Sequence, residues 1–260
     1  MATIATSSRQ GAWELGARAG YAASGLVHVL IGILAAQLAL GSSGGSADQS
    51  GAFSEIASTP FGAVVLWITV VAFVALGAWY AAAAISGAAG RTSDRAKAGG
   101  KAVMYLALGA TAFAFARGSG TGSGSQTSSM TSELMQAPGG RFLVGAVGLG
   151  TVAVAAYHVH KGLRRRFLQD LRRLPAGTAG RVAERAGVVG YVAKGVALGI
   201  VGALFVVAAV HADAQEATGL DGALQTLRDA PGGPVLLLLV ALGLVAFGAY
   251  CGVRSRFGRL

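Results

Sequence analysis

Along the chain, apolar residues gather into six stretches of about 20 residues, the length at which a helix crosses the hydrocarbon core of a bilayer. They run approximately from Gly20 to Leu40, Phe61 to Ser86, Lys101 to Ala116, Phe142 to Val159, Val188 to Ala209 and Pro234 to Val253. The third and fourth are short and rich in glycine or alanine, so hydropathy alone supports them weakly. The first follows Arg9 and Arg18 and precedes GGSA, in the manner of a signal peptide. An h-region, however, is about 7–15 residues long, and this segment has an internal homologue that cannot be a signal. The pattern predicts an all-α integral membrane bundle of six transmembrane helices.

A repeat supports the doubtful spans. GYAASG at Gly20 to Gly25 matches GYVAKG at Gly190 to Gly195, and a weaker copy reads GKAVMY from Gly100 to Tyr105. In register, Gly25, Ala102 and Gly195 correspond, as do Gly32, Gly109 and Gly202 seven residues later. FSEIASTPFG, TSELMQAPGG and LQTLRDAPGG align on Pro60, Pro138 and Pro231, with Ile56, Leu134 and Leu227 four residues earlier. Nineteen residues past each proline stands an aromatic, Trp79, Tyr157 or Tyr250. The chain therefore divides into an N-terminal segment (1–17), repeat 1 (18–90), repeat 2 (91–174), a linker (175–187) and repeat 3 (188–260).

Each shared feature has a physical reading. Proline has no N–H to leave unsatisfied and a φ suited to a first helical turn, so it marks the start of the second helix of each unit. Leu220, Leu224 and Leu227, at helical spacing, predict a short amphipathic helix on the membrane surface before it. GSSGGSADQSG and GSGTGSGSQTSS cannot bury enough apolar surface to order themselves and read as mobile linkers. The aligned aromatics are expected as interfacial anchors.

Composition agrees with the membrane reading: 53% of residues are hydrophobic, 12% are charged, and the 41 glycines lie inside the apolar runs as well as between them. Charge supplies the orientation. Placing both termini and the second and fourth connections on one side collects 18 of the 21 Lys/Arg there, leaving Arg117, Arg141 and Arg228 opposite. By the positive-inside rule that side is the cytoplasm, and the net charge of +10 needs no nucleic acid to explain it. The single cysteine, Cys251, excludes an internal disulfide and reads as a small packing residue at a helix end.

The GYxAxG motif, the L-x-x-x-P segment before the second helix, and the aromatic followed by arginines resemble a family of bacterial membrane proteins. That family is built from three tandem two-helix units and is known only as a domain of unknown function. The resemblance covers about Arg18 to Phe257 and is weakest in the second unit, which lacks the aromatic and the regular glycine spacing at its start. It implies six membrane helices and no activity that transfers to particular residues; the expected location is the inner (plasma) membrane of a bacterium.

Polar residues within spans are costly to bury and are the first functional candidates. Ser24, His28 and Gly32 share one helical face; their counterparts are Lys101, Tyr105 and Gly109, then Lys194, Leu198 and Gly202. His158 and His160 end the fourth span at similar depth. His28, Lys101, Tyr105, His158 and Lys194 thus outline a candidate polar cavity on the cytoplasmic side, with the lysines favouring an anionic ligand. The competing reading has the lysines snorkelling and His28 bonding a neighbouring helix. Pairing His28 with His158 or His160 is the one sensible geometry for a b-type haem. No Cys/His/acid set has zinc spacing, and neither a nucleophilic triad nor a phosphate-binding loop is present. No cofactor, metal or catalysis is therefore expected.

KGLRRRFLQDLRRL, from Lys161 to Leu174, places Leu163, Phe167, Leu171 and Leu174 on one helical face. It reads as an amphipathic extension of the fourth helix, with Arg164, Arg165, Arg166, Arg172 and Arg173 on anionic headgroups. Nucleic acid is not an expected partner, for want of a recognition fold. The leading role is a non-enzymatic structural or accessory membrane protein, packing through small-residue faces against itself or a partner protein. The alternatives are a small-solute transporter or channel of pseudo-threefold design, and a single-haem membrane protein.

Overall fold

The computed structural model describes residues 2–42, 45–86 and 91–259. Nine α-helices fall among them in a threefold rhythm of long, short and long. Unit 1 holds α1 (Ala2–Ala39), α2 (Gln49–Ser58) and α3 (Gly62–Ile85). Unit 2 holds α4 (Thr92–Ala116), α5 (Ser123–Gln136) and α6 (Gly140–Leu163). Unit 3 holds α7 (Gly177–His211), α8 (Gly219–Asp229) and α9 (Gly233–Phe257). The six long helices are apolar enough to cross a membrane, and the doubtful third and fourth spans reach 25 and 24 residues. In hydrocarbon a helix satisfies its backbone groups internally, which is why such runs fold this way.

Helix extends beyond the spans where the sequence suggested none. α1 begins at Ala2, inside the expected N-terminal segment, and α7 begins at Gly177, inside the expected 175–187 linker. The glycine-serine stretches are likewise more ordered than composition suggests. SGSQTSS forms the first half of α5, and Asp48 caps α2 by accepting from the Gly51 N–H at 3.0 Å.

The aligned prolines sit two residues before the first helical position, not in the first helical turn. Each is the second residue of a β-turn joining the short helix to the long one, closed by Gly62 N–H to Thr59 O (2.9 Å), Gly140 N–H to Ala137 O (2.9 Å) and Gly233 N–H to Ala230 O (2.7 Å). The residues before the prolines are extended, as proline requires. Gly139 and Gly232 follow with φ of 77° and 71°, giving a type II turn. Phe61 replaces that glycine in unit 1, and at φ −106° and ψ 12° its turn is type I. The last turn residue is glycine in all three units because a β-carbon there would overlap the carbonyl of Ile56, Leu134 or Leu227.

The long helices pack in the order α4, α3, α1, α9, α7, α6. Three of these contacts are equivalent: the second long helix of each unit packs on the first of the next, α3 on α4, α6 on α7 and, cyclically, α9 on α1. Gly32, Gly109 and Gly202 mark the same point in these seams, against Val245, Val74 and Val152, each fourteen residues past its turn proline. Within units, α1 meets α3 and α7 meets α9, but among the described residues α4 and α6 share no comparable packing interface. The pseudo-threefold arrangement is therefore open between α4 and α6.

The short helices gather at one end, here called the capped end. Ala47 N–H donates to Asp221 Oδ1 (2.6 Å), the Ser50 hydroxyl to Asp48 Oδ1 (2.6 Å), Ser123 N–H to Ser50 Oγ (3.1 Å) and the Ser123 hydroxyl to Asp48 Oδ2. These bonds knit the three units together and bury Asp48. The opposite, basic end carries the arginine-rich segments.

Candidate functional site

Eight residues along the first helix from the Gly32/Gly109/Gly202 position toward the basic end, the three seams turn polar. The first-helix position occupied by Ser24, Lys101 and Lys194 faces the second-helix position occupied by Cys251, Tyr80 and His158. Ser24 and the Cys251 thiol are neighbours and both buried, Lys101 Nζ lies 4.9 Å over the Tyr80 ring, and Lys194 is within electrostatic reach of His158. One turn further, Tyr21 lies under Arg254 (4.4 Å) and Tyr191 under Lys161 (5.2 Å), whereas the third seam has Ala98 and Ala83. Such cation–ring contacts are worth about 0.5–2 kcal/mol, more when desolvated.

His28 and Lys194 come together across α9. His28 Nδ1 lies 2.8 Å from Ser24 O; a carbonyl only accepts, so Nδ1 carries the proton and Nε2 is the acceptor. Lys194 Nζ donates to that Nε2 at 3.1 Å and stands 4.4 Å over the Phe247 ring, which also packs on His28 at 4.7 Å. His158 repeats the arrangement, with Nδ1 donating to Val154 O at 2.8 Å, and its ring stacks on Tyr191. A haem iron would take the Nε2 of His28, the nitrogen that Lys194 engages.

Lys101 and Tyr105 form a separate group around Tyr80: Tyr105 stacks on it at 5.8 Å, and Tyr21 and Tyr80 share a hydrogen bond between hydroxyls. Tyr105 is in electrostatic contact with Arg254 and Cys251, so the two groups meet through α9. The five residues expected to line one cavity are thus packed into two adjoining clusters. Two open grooves, of about 340 Å³ between α1 and α3 and about 370 Å³ between α7 and α9, are apolar and contain none of the five.

Asp170 completes the basic end. Lys161 reaches its Oδ2 at 2.7 Å and Arg254 the same oxygen at 3.4 Å. These are equivalent cations, each four residues past an aligned aromatic, Tyr157 or Tyr250. The expected amphipathic helix is not how this segment folds. α6 ends at Leu163, Arg165 turns left-handed at φ 52°, and a short 3-10 turn spans Arg166–Asp170. Phe167 and Leu171 then bury beneath α7 and α9 while Leu163 stays exposed. The strand-like remainder pairs with the C-terminal residues, Arg172 N–H to Phe257 O and Arg259 N–H to Asp170 O, both at 2.8 Å. Tyr250 is no interfacial anchor: it is buried, and its hydroxyl donates to Phe167 O at 3.0 Å. Arg164, Arg165, Arg166, Arg172 and Arg173 are all exposed at this end, with Arg165 pairing Glu184 (2.7 Å) and Arg172 pairing Glu14 (3.4 Å).

Sequence reasoning passed over Tyr21, Tyr191, Asp170 and Arg254. A signal for three of them existed: tyrosine recurs three residues before Ser24 and Lys194, and a cation recurs four residues after the aligned aromatic. Asp170 had none, because its partners are set by how the loop folds back.

Three stretches of the chain, residues 19–87, 96–165 and 189–258, match the family described as Domain of Unknown Function (DUF1206). The chain is similar to a Bacillus subtilis (strain 168) protein named "Uncharacterized protein YxxB", at 28% identity over 245 residues, spanning 92% of this chain and 88% of that protein. No solved structure matches.

Proposed function

The chain belongs to the Domain of Unknown Function (DUF1206) family, and from that premise we propose that it is a non-enzymatic structural or accessory protein of the bacterial inner (plasma) membrane, with both termini in the cytoplasm. The observation that carries this reading is the mutual engagement of the polar groups at the basic end. His28 is taken by Lys194 and Ser24, and Lys161 and Arg254 by Asp170, in seams otherwise closed by small residues. The exposed faces of α4 and α6, with Val103 and Met104 on one and Phe142, Leu143 and Leu149 on the other, suit lipid or the helices of a partner membrane protein. Orientation rests on the 18 of 21 cations that fall at the basic end.

A transporter reading draws on one feature, the half-buried Lys194–His28 pair within the spans. Reconstitution separates the two. Proteoliposomes holding the folded protein should show no saturable flux of small anions; flux that saturates and falls on His28→Ala would replace the accessory role with transport. For orientation, a thiol at exposed Ser125 (Ser125→Cys) should react with a membrane-impermeant maleimide from outside the cell. Reaction only after permeabilisation would reverse the topology.

A further inference from the structure

The connection from α6 to α7 is built as a strap laid across the basic end. Thirteen residues, 164–176, separate these helices, whereas six, 86–91, suffice between the equivalent α3 and α4. Backbone in the left-handed region marks both ends of the strap: Arg165 at φ 52°, a conformation that is uphill for a residue with a β-carbon, and Gly177 at φ 66°. Between them the chain is a single 3-10 turn followed by extended backbone, and only Phe167 and Leu171 are buried. Lids are drawn from segments of this kind, which open while the rest of a fold stays closed, with a few terminal residues absorbing the change in φ and ψ.

Three discrete grips hold the strap down. The Phe167 ring fills a socket: it stacks on Tyr191 at 5.5 Å, meets Tyr250 edge-on at 5.1 Å, and occupies the space that a β-carbon at Gly187 would need. Asp170 is clasped between Lys161 and Arg254. The third grip is the C-terminal segment, where Phe257 O accepts from Arg172 N–H, Asp170 O from Arg259 N–H, and Leu171 O from Arg259 Nε. Cys251, the single cysteine of the chain, is buried in the same apolar cluster as Phe167, Leu171, Tyr191 and Tyr250. We propose that the strap is a releasable lid: it lifts as a unit about Arg165 and Gly177 while the helices stay packed, emptying the Tyr191–Tyr250 socket and leaving Lys161 and Arg254 without their carboxylate. This device goes beyond the accessory role and does not depend on it.

The lone thiol reports the opening without an introduced label. The test is the rate at which N-ethylmaleimide modifies Cys251 in the full chain in mild detergent, followed by intact mass at a temperature below unfolding. Asp170→Asn loosens the clasp and should raise that rate about 30-fold, the weight of a partly exposed two-cation pair. Gly187→Ala acts on the other grip, setting a methyl against the Phe167 ring, and should raise it about tenfold. Alanine is the better helix former, so this variant carries the test should Asp170→Asn not fold. Gly202→Ala loosens the α6/α7 seam away from the strap and should leave the rate unchanged. A rise in Asp170→Asn or Gly187→Ala without one in Gly202→Ala sustains the lid. A rate unmoved by both strap variants overturns it, and so does an equal rise in Gly202→Ala, since Cys251 would then be reached only by unpacking the helices.

Discussion

At the α9/α1 and α6/α7 seams a tyrosine of one helix lies under a cation of the other, Tyr21 with Arg254 and Tyr191 with Lys161; at the α3/α4 seam both positions are alanine. The apolar registration is the same in all three, with glycine on valine at Gly32, Gly109 and Gly202. Backbone approach holds the repeat together, and polar content varies on top of it. The α1, α7 and α9 side therefore carries the chemistry and the Asp170 strap. The α3/α4 side carries the looser packing: a β-carbon at Gly202 would stand 2.8 Å from Gly148 O and Val152 N, whereas at Gly109 the nearest atom is Val74 Cγ2 at 3.2 Å.

That inequality gives the largest expected effect. Gly202→Ala must push two backbones apart and should destabilise by about 3 kcal/mol, the upper range for overpacking. Gly109→Ala meets a side-chain methyl that can shift, and the gain of about 1 kcal/mol in helix propensity should leave it near neutral. Thermal unfolding in detergent compares them, and equal losses would show that the seams are equally tight. The next effect concerns the strap. Asp170→Asn leaves Lys161 and Arg254, whose side chains are 13% and 15% exposed, without a carboxylate. A loss of about 2 kcal/mol is expected, below the 3–5 for a fully buried pair, with faster trypsin cleavage at Arg172 and Arg173. Asp94→Asn, which breaks the exposed pair with Lys97 at the start of α4, should change stability by less than about 0.5 kcal/mol. If both variants behave alike, the strap is not what distinguishes the two sides.

The architecture was legible in the sequence because two of its causes are local. Apolar length defines the spans, and the turn of Pro138–Gly139–Gly140 or Pro231–Gly232–Gly233 is written in residue types with defined φ. What was not legible depends on contacts between distant segments. LRRRFLQDLRRL has helical periodicity, yet burying Phe167 under Tyr191 and Tyr250 favours folding the chain back. SGSQTSS has the composition of a linker but becomes helix once Ser123 bonds Asp48 and Ser50 from another unit. The polar residues recur at equivalent positions of the repeat, as the aligned sequence shows. Their division into two clusters followed from which helices pack, and periodicity does not specify that.

The smallest effect lies at the capped end, where the units are again tied unequally. Units 1 and 3 meet through the Asp221 carboxylate, which accepts from the Ala47 backbone N–H, while unit 2 joins unit 1 through Ser123, whose hydroxyl donates to the buried Asp48 carboxylate and whose N–H donates to Ser50 Oγ. Burial raises the Asp221 carboxyl above its ordinary value of 3.8, opposed by the Ala47 N–H, reinforced by nearby Asp48 and opposed by Gln225. A carboxyl whose folded pKa is raised holds its proton longer in the folded state than in the unfolded one. The folded state is therefore favoured below the ordinary value, loses that advantage as pH rises through the raised value, and is level above it. Asp221→Asn keeps an oxygen for the Ala47 N–H and removes the titration, so its unfolding temperature should vary less with pH across that window while matching or slightly exceeding the parent near neutrality. An unchanged slope would assign the pH response to other carboxylates and leave the α2–α8 contact equivalent to the hydroxyl-based one.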